Sequence, residues 1–177
     1  MASAKQDQEI TVHIARNFKD IKFRLPELRK LVKAICNRFK LSKTTVSIAI
    51  IDDAQIRKLN SRFLNRKSTT DCLSFDLSDD KGPQSPKLFE LIVNGEMAGR
   101  QANLRGHSGE AELALYITHG LLHNLGFDDS TPSQARKMHD TEDEILQQLG
   151  YGLVYNKSER ISNKEIRKCL KFEVPKV

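Results

Sequence analysis

The sequence predicts an α/β-like or α+β domain built on a small mixed β-sheet, and three observations carry that expectation. Short alternating or β-branched stretches interleave with amphipathic helical stretches along most of the chain. The length, 177 residues, suits one domain with enough interior for a real core. Hydrophobic residues at 38% and charged residues at 29% give the balance of a globular chain with a well-charged surface.

Residues 9–15 alternate around Ile10, Val12 and Ile14 and read as a first strand. Pro26 suits the first turn of a helix, where its missing N–H has no partner to lose. Leu25, Leu28, Val32, Ile35 and Phe39 then recur at helical spacing as far as residue 40. Residues 46–51, Val-Ser-Ile-Ala-Ile-Ile, form a β-branched run that reads as a buried strand. Asp52 or Asp53 caps a helix to about residue 63 that carries Ile56, Leu59 and Asn60. A polar loop, 65–70, leads to a strand at 72–77. Residues 78–87, with Gly82, Pro83 and Pro86, read as a surface loop before a strand at 88–97. Residues 106–109 open a long helix that ends at Gly126, and Pro132 starts a last helix to about residue 149. A folded domain over 1–154 and a loosely packed, basic C-terminal tail over 155–177 are expected, the tail with one short helix and dispensable for the fold.

No apolar run approaches the roughly 20 residues that span a bilayer, and the polar start carries no hydrophobic signal segment. Cys36, Cys72 and Cys169 form no CxxC pair and no disulfide framework, which fits a reducing cytosol. A cytoplasmic protein with no membrane partner is expected. The net charge of +6 is unevenly placed and points to a polyanionic partner. Residues 16–43 hold ten basic side chains against Asp20 and Glu27, whereas residues 126–150 are predominantly acidic. Arg29, Lys30, Lys33 and Arg38 are the first candidates for an RNA-facing surface, with residues 57–67 and the tail next.

The chemistry concentrates at His119-Gly-Leu-Leu-His123-Asn-Leu-Gly126-Phe-Asp128-Asp129. Two histidines four residues apart share one helix face, their Cβ atoms about 5–6 Å apart, so both imidazoles converge on one ion. Gly126 supplies a left-handed turn at the helix end, after which Asp129 returns as a third donor. Three ligands from one short stretch leave a coordination position open, as catalytic metal sites do and closed structural sites do not. His13, His107 and His139 lack such spacing and are read as non-ligands, although His139 lies on the following helix. Zinc peptidases of the HExxH type place a glutamate after the first histidine, and Gly120 stands there instead.

At these residues the chain resembles the YbeY family of bacterial metal-dependent endoribonucleases of ribosomal RNA maturation. The family pattern, His-Gly-x-Leu-His-Leu-x-Gly-Tyr-Asp-His, is matched at His119, Gly120, Leu122, His123, Gly126 and Asp128, with Phe127 a conservative change. Leu59-Asn60 and Thr70-Asp71-Cys72-Leu73-Ser74-Phe75 match a second family stretch. Gly95-Glu96 resembles a Gly-Asp pair that the family carries in a strand, and Met138 and Glu142 resemble its Met-x-x-x-Glu. The resemblance covers about residues 46–153. It implies an α+β single domain, a small central mixed sheet packed with helices, with the metal site at the end of a long helix.

The resemblance further implies a single-strand-specific, metal-dependent endoribonuclease. Its task would be ribosomal RNA processing (16S 3′-end maturation) and ribosome quality control. Its cofactor would be one divalent ion, zinc foremost, held by His119, His123 and Asp129, and its partners RNA and the ribosomal subunit. Two departures stand out. Asp129 replaces the family's third histidine, which lowers the summed charge of ion and ligands by one unit. Leu64 replaces an arginine whose planar fork suits phosphate, and Arg62 and Arg66 flank it. The alternative reading is a non-catalytic ribosome-assembly or RNA-binding factor with a structural or degenerate metal site. A metal-dependent hydrolase of another substrate is a third. No side chain identifies itself as a general base.

Overall fold

The computed structural model describes residues 9–80, 82 and 85–155. Four strands, β1 (Ile10–Arg16), β2 (Thr44–Ile51), β3 (Cys72–Asp76) and β4 (Lys87–Asn94), form one sheet in the order β1-β2-β4-β3. β1, β2 and β4 run parallel, and β3 pairs antiparallel with β4 at the edge. The parallel pairs need crossovers, supplied by α1 (Leu25–Arg38) between β1 and β2 and by α2 (Asp53–Leu64) on the way to β3 and β4. The mixed sheet with its helices is the expected α+β architecture.

The main core lies between one sheet face, with Val46, Ile48, Ile50, Phe89, Leu91 and Val93, and helices α1 and α4 (Gly109–Asn124). Residues of α5 (Pro132–Gln148), Met138, Ile145 and Leu146, close it from outside. Helix α4 is apolar almost all round because it is buried on most sides, the pattern of a central helix. Its buried acid Glu110 accepts from the Arg24 backbone N–H at 2.6 Å and from the Arg24 guanidinium at 2.9 Å, tying down the start of α1. Arg38 likewise pairs with Glu144 of α5 at 2.8 Å, so part of the basic 16–43 stretch is engaged in tertiary contacts. On the other sheet face, α2 covers β3 and part of β4 through Ile56, Leu59, Leu73, Phe75 and Ile92.

One element differs from expectation. The strand read over 88–97 ends at Asn94, and Gly95–Arg105 is a helix, α3. The Asn94 side chain accepts the Met97 N–H as an N-cap, and left-handed Gly106 (φ 68°) ends the helix. Gly95 and Gly99 together with a weakly amphipathic pattern hid this helix, and Gly95-Glu96 lies in it, not in a strand. The tail falls outside the described residues except for Tyr155, which is packed: its N–H donates to Asp143 at 3.1 Å and its ring stacks on His139.

Candidate metal centre

His119 and His123 occupy successive turns at the C-terminal end of α4, His123 in the last. The helix stops at Asn124 because Gly126 takes φ 87°, and the Phe127 N–H returns to the Leu122 carbonyl at 3.0 Å. Asp128 then fastens the turn: its carboxylate accepts from the Asp129 N–H at 2.8 Å, the Ser130 N–H at 3.1 Å and the Ser130 hydroxyl at 2.6 Å. Those bonds, led by the Ser130 hydroxyl, hold the Asp128 carboxyl below its ordinary range. Asp128 is thereby occupied, and Asp129 is the acid directed back at the histidines.

The Nε2 atoms of His119 and His123 stand 3.1 Å apart, and Asp129 Oδ2 lies 3.9 Å from each. A triangle with those sides has a centre about 2.1 Å from every corner, the length of zinc bonds to nitrogen and oxygen. The hydrogen bonding decides which ring atoms face inward. His123 Nδ1 lies 3.1 Å from the Phe127 carbonyl and His119 Nδ1 2.8 Å from Glu142 Oε1, so both Nδ1 atoms carry hydrogens. Two Nε2 atoms and a carboxylate oxygen then converge on one point. That donor set, two imidazole nitrogens and a carboxylate with their free atoms facing inward, fits a divalent ion.

Glu142 is the buried support of this arrangement. With a side chain only 1% exposed, it takes His119 Nδ1 on one oxygen and His139 Nδ1, at 2.9 Å, on the other. Burial works against a charged His119 ring, yet the Glu142 hydrogen bond and charge outweigh it, and the imidazole pKa is raised. Such a carboxylate behind a ligating histidine fixes the tautomer and raises the basicity of the ligand. His139 therefore stands one layer behind the donors, its ring stacked 6.5 Å from that of His119. His13 is exposed on the sheet, and His107 Nε2 lies 2.9 Å from buried Glu112 Oε2.

Gly120 explains why no glutamate follows His119. A Cβ there would meet Cys72 Sγ at 2.8 Å and Leu91 Cδ2 at 3.0 Å, because α4 lies tight against β3 and β4. The opposite wall is the 65–71 loop, held by buried side-chain amides. Asn60 Nδ2 donates to the Ser68 carbonyl at 2.8 Å, and Asn94 Nδ2 to the Thr70 carbonyl at 3.0 Å. Between the walls lies a polar cavity of about 520 Å³ lined by Leu64, Arg66, Asp71, Ser74, His119, His123 and Asp129, among others.

All three residues singled out in the sequence thus meet at one point. The role of Glu142 was not read from the sequence, although a carboxylate among the apolar positions of an amphipathic helix signals a buried partner. The cleft position of Arg66 also needed the structure, since it depends on where α2 stops.

A family profile described as "Endoribonuclease YbeY" matches residues 13–150. The Endoribonuclease YbeY of Myxococcus xanthus is 33% identical over 147 residues, 82% of this chain, which spans about half (49%) of that relative. The namesake from Carboxydothermus hydrogenoformans is 39% identical over 105 residues, 59% of this chain and 72% of the relative. That from Aquifex aeolicus is 29% identical over 154 residues, 86% of this chain and 100% of the relative. The solution structure of TM1509 from Thermotoga maritima shares the fold, with TM-score 0.51 and 21% identity over 78% of this chain and 91% of that one.

Proposed function

The chain belongs to the endoribonuclease YbeY family, a family of hydrolytic endoribonucleases, and we propose that this member cuts single-stranded RNA in a metal-dependent reaction. Its substrate is ribosomal RNA, in 16S 3′-end maturation and ribosome quality control in the cytoplasm. The observation that carries the metal dependence is the convergence of His119 Nε2, His123 Nε2 and Asp129 Oδ2 on one point. These three residues hold one divalent ion, zinc foremost, by their two imidazole nitrogens and one carboxylate. When bound, that ion supplies Lewis-acid stabilisation of charge on a phosphate oxygen.

The remaining work belongs to the chain. Glu142 and the Phe127 carbonyl occupy the two Nδ1 atoms and so aim both Nε2 atoms at the cavity. Asp128 anchors the turn so that Asp129 faces them. The 65–71 loop and the glycine-tight seam at Gly120 enclose a cleft whose other face is open to a strand of RNA.

The test is cleavage of a single-stranded ribosomal RNA fragment by the purified protein, with its metal content measured in parallel. We expect about one divalent ion per chain, loss of cleavage with a chelator, and recovery on adding zinc. Chelator-insensitive cleavage, or none with any divalent ion, would overturn the reading. Leu64 in the cleft lining, where the family carries arginine, favours the non-catalytic alternative. RNA binding without turnover in the metal-loaded protein would establish it.

A further inference from the structure

The cleft explains where RNA is cut but not how the strand is led there. Half of the described arginines are engaged: Arg24 with Glu110, Arg38 with Glu144, Arg100 with Asp53, Arg105 with Glu112, and Arg16 with the Ile21 carbonyl. Arg62 and Arg66 have no carboxylate partner among the described residues, and both stand at the C-terminal end of α2.

Arg66 owes its position to the way α2 ends. Asn65 adopts the left-handed conformation (φ 54°, ψ 32°), and the Arg66 N–H folds back to the Asn60 carbonyl at 3.4 Å. On a continuing helix, Arg66 would point nearly opposite to Leu64. After this turn both line the metal cleft, and Arg66 is the one cation among the described lining residues. A guanidinium in a cavity otherwise furnished with hydroxyls, imidazoles and carboxylates is suited to a phosphate diester.

Beside it lies an aromatic surface. Phe63 is 54% exposed, an unusual position for so large an apolar ring. Its orientation is fixed by an edge contact with Phe75 at 5.3 Å between centroids, and the Arg62 guanidinium lies 5.8 Å from its centre. Leu64, the next residue after Phe63, lines the cleft, and Phe63 stands three residues before Arg66 on the exposed end of α2, where it packs on Phe75 of the sheet face that α2 covers. An exposed ring beside Arg62 and three residues before an arginine of the cleft lining has the composition of a single-strand stacking site.

We propose that one RNA strand enters the cleft across the C-terminal end of α2, a phosphate held by Arg66 and the adjoining base stacked on Phe63. This rests on the RNA reading above, and the test separates the two. Binding of a labelled, uncleavable 2′-O-methyl oligouridine is measured by fluorescence anisotropy over a salt series. The proteins are wild type, Arg66→Ala, Phe63→Leu, and a control with Arg29, Lys30 and Lys33 on α1 all changed to Gln. Arg66→Ala should lower the log–log salt slope by about 0.7, one phosphate contact on a single strand. Phe63→Leu should leave that slope unchanged and weaken binding by about 5- to 100-fold, the range for one stacked base. An abasic oligomer should bind wild type and Phe63→Leu alike, and the α1 control should match wild type. Wild-type-like binding by Arg66→Ala and Phe63→Leu, or a loss confined to the α1 control, would overturn this route and leave the RNA reading intact. No binding by wild type would overturn both.

Discussion

Replacing Gly120 with alanine tests how tightly the site is seated on the sheet. The new methyl would lie 2.8 Å from Cys72 Sγ, 3.0 Å from Leu91 Cδ2 and 3.6 Å from Ser74 Cβ. The first contact is well inside van der Waals range, so α4 must move off β3 by some tenths of an ångström. Alanine gains about 1 kcal/mol over glycine from helix propensity. Overpacking a close seam costs about 1–3 kcal/mol. The net expectation is a loss of up to about 2 kcal/mol, which for a chain of this size lowers Tm by up to roughly 8 °C. Urea and thermal unfolding, followed by circular dichroism, measure it. Adding Cys72→Ala removes the nearest atom and should restore about 1 kcal/mol, a coupling readable in a double-mutant cycle. Because His119 and His123 flank the position, the single variant should also bind zinc more weakly. A Gly120→Ala protein that melts above wild type, or gains nothing from Cys72→Ala, would refute the close-seam argument.

Three further outcomes follow from the same geometry. Asp129→Ala should lose most bound zinc in equilibrium dialysis, whereas Asp128→Ala should keep it, since Asp128 is occupied in the turn; equal retention by both would remove Asp129 as a ligand. Glu142→Ala should weaken zinc affinity by about 10- to 100-fold through the freed His119 ring, and unchanged affinity would show that the ring is held by packing alone. The Cys36 thiol is pushed up to about 11 by burial. Its raised folded-state pKa gives a contribution fully present below the ordinary thiol range and lost as pH rises toward 11. Wild-type stability should therefore fall across pH 9–11 more steeply than that of Cys36→Ala, by up to about 1.4 kcal/mol per pH unit. Parallel pH profiles would contradict it.

Much of this protein was written locally. The His119/His123 pair, the Gly126 turn and the returning Asp129 lie within eleven residues, so helix periodicity and one left-handed glycine suffice to bring the donors together. Strands β1, β2 and β3 and helices α1, α2, α4 and α5 carry patterns whose period is set by burial of a single face or a whole run, and their positions were legible to within a few residues. Helix α3 was not, because its glycines and weak periodicity leave its formation to the Asn94 cap and to tertiary packing. Other features depend on partners far apart in the chain. Glu142 acquires its role only when α5 folds against α4, 23 residues away. Arg66 enters the cleft only because α2 stops at Leu64 beside a loop held by Asn60 and Asn94. Gly120 is confined only because β3 and β4 press on α4. Donor spacing is a property of one helix and one turn, and so of sequence. The support, enclosure and approach to those donors come from contacts between elements, which short-range pattern cannot encode.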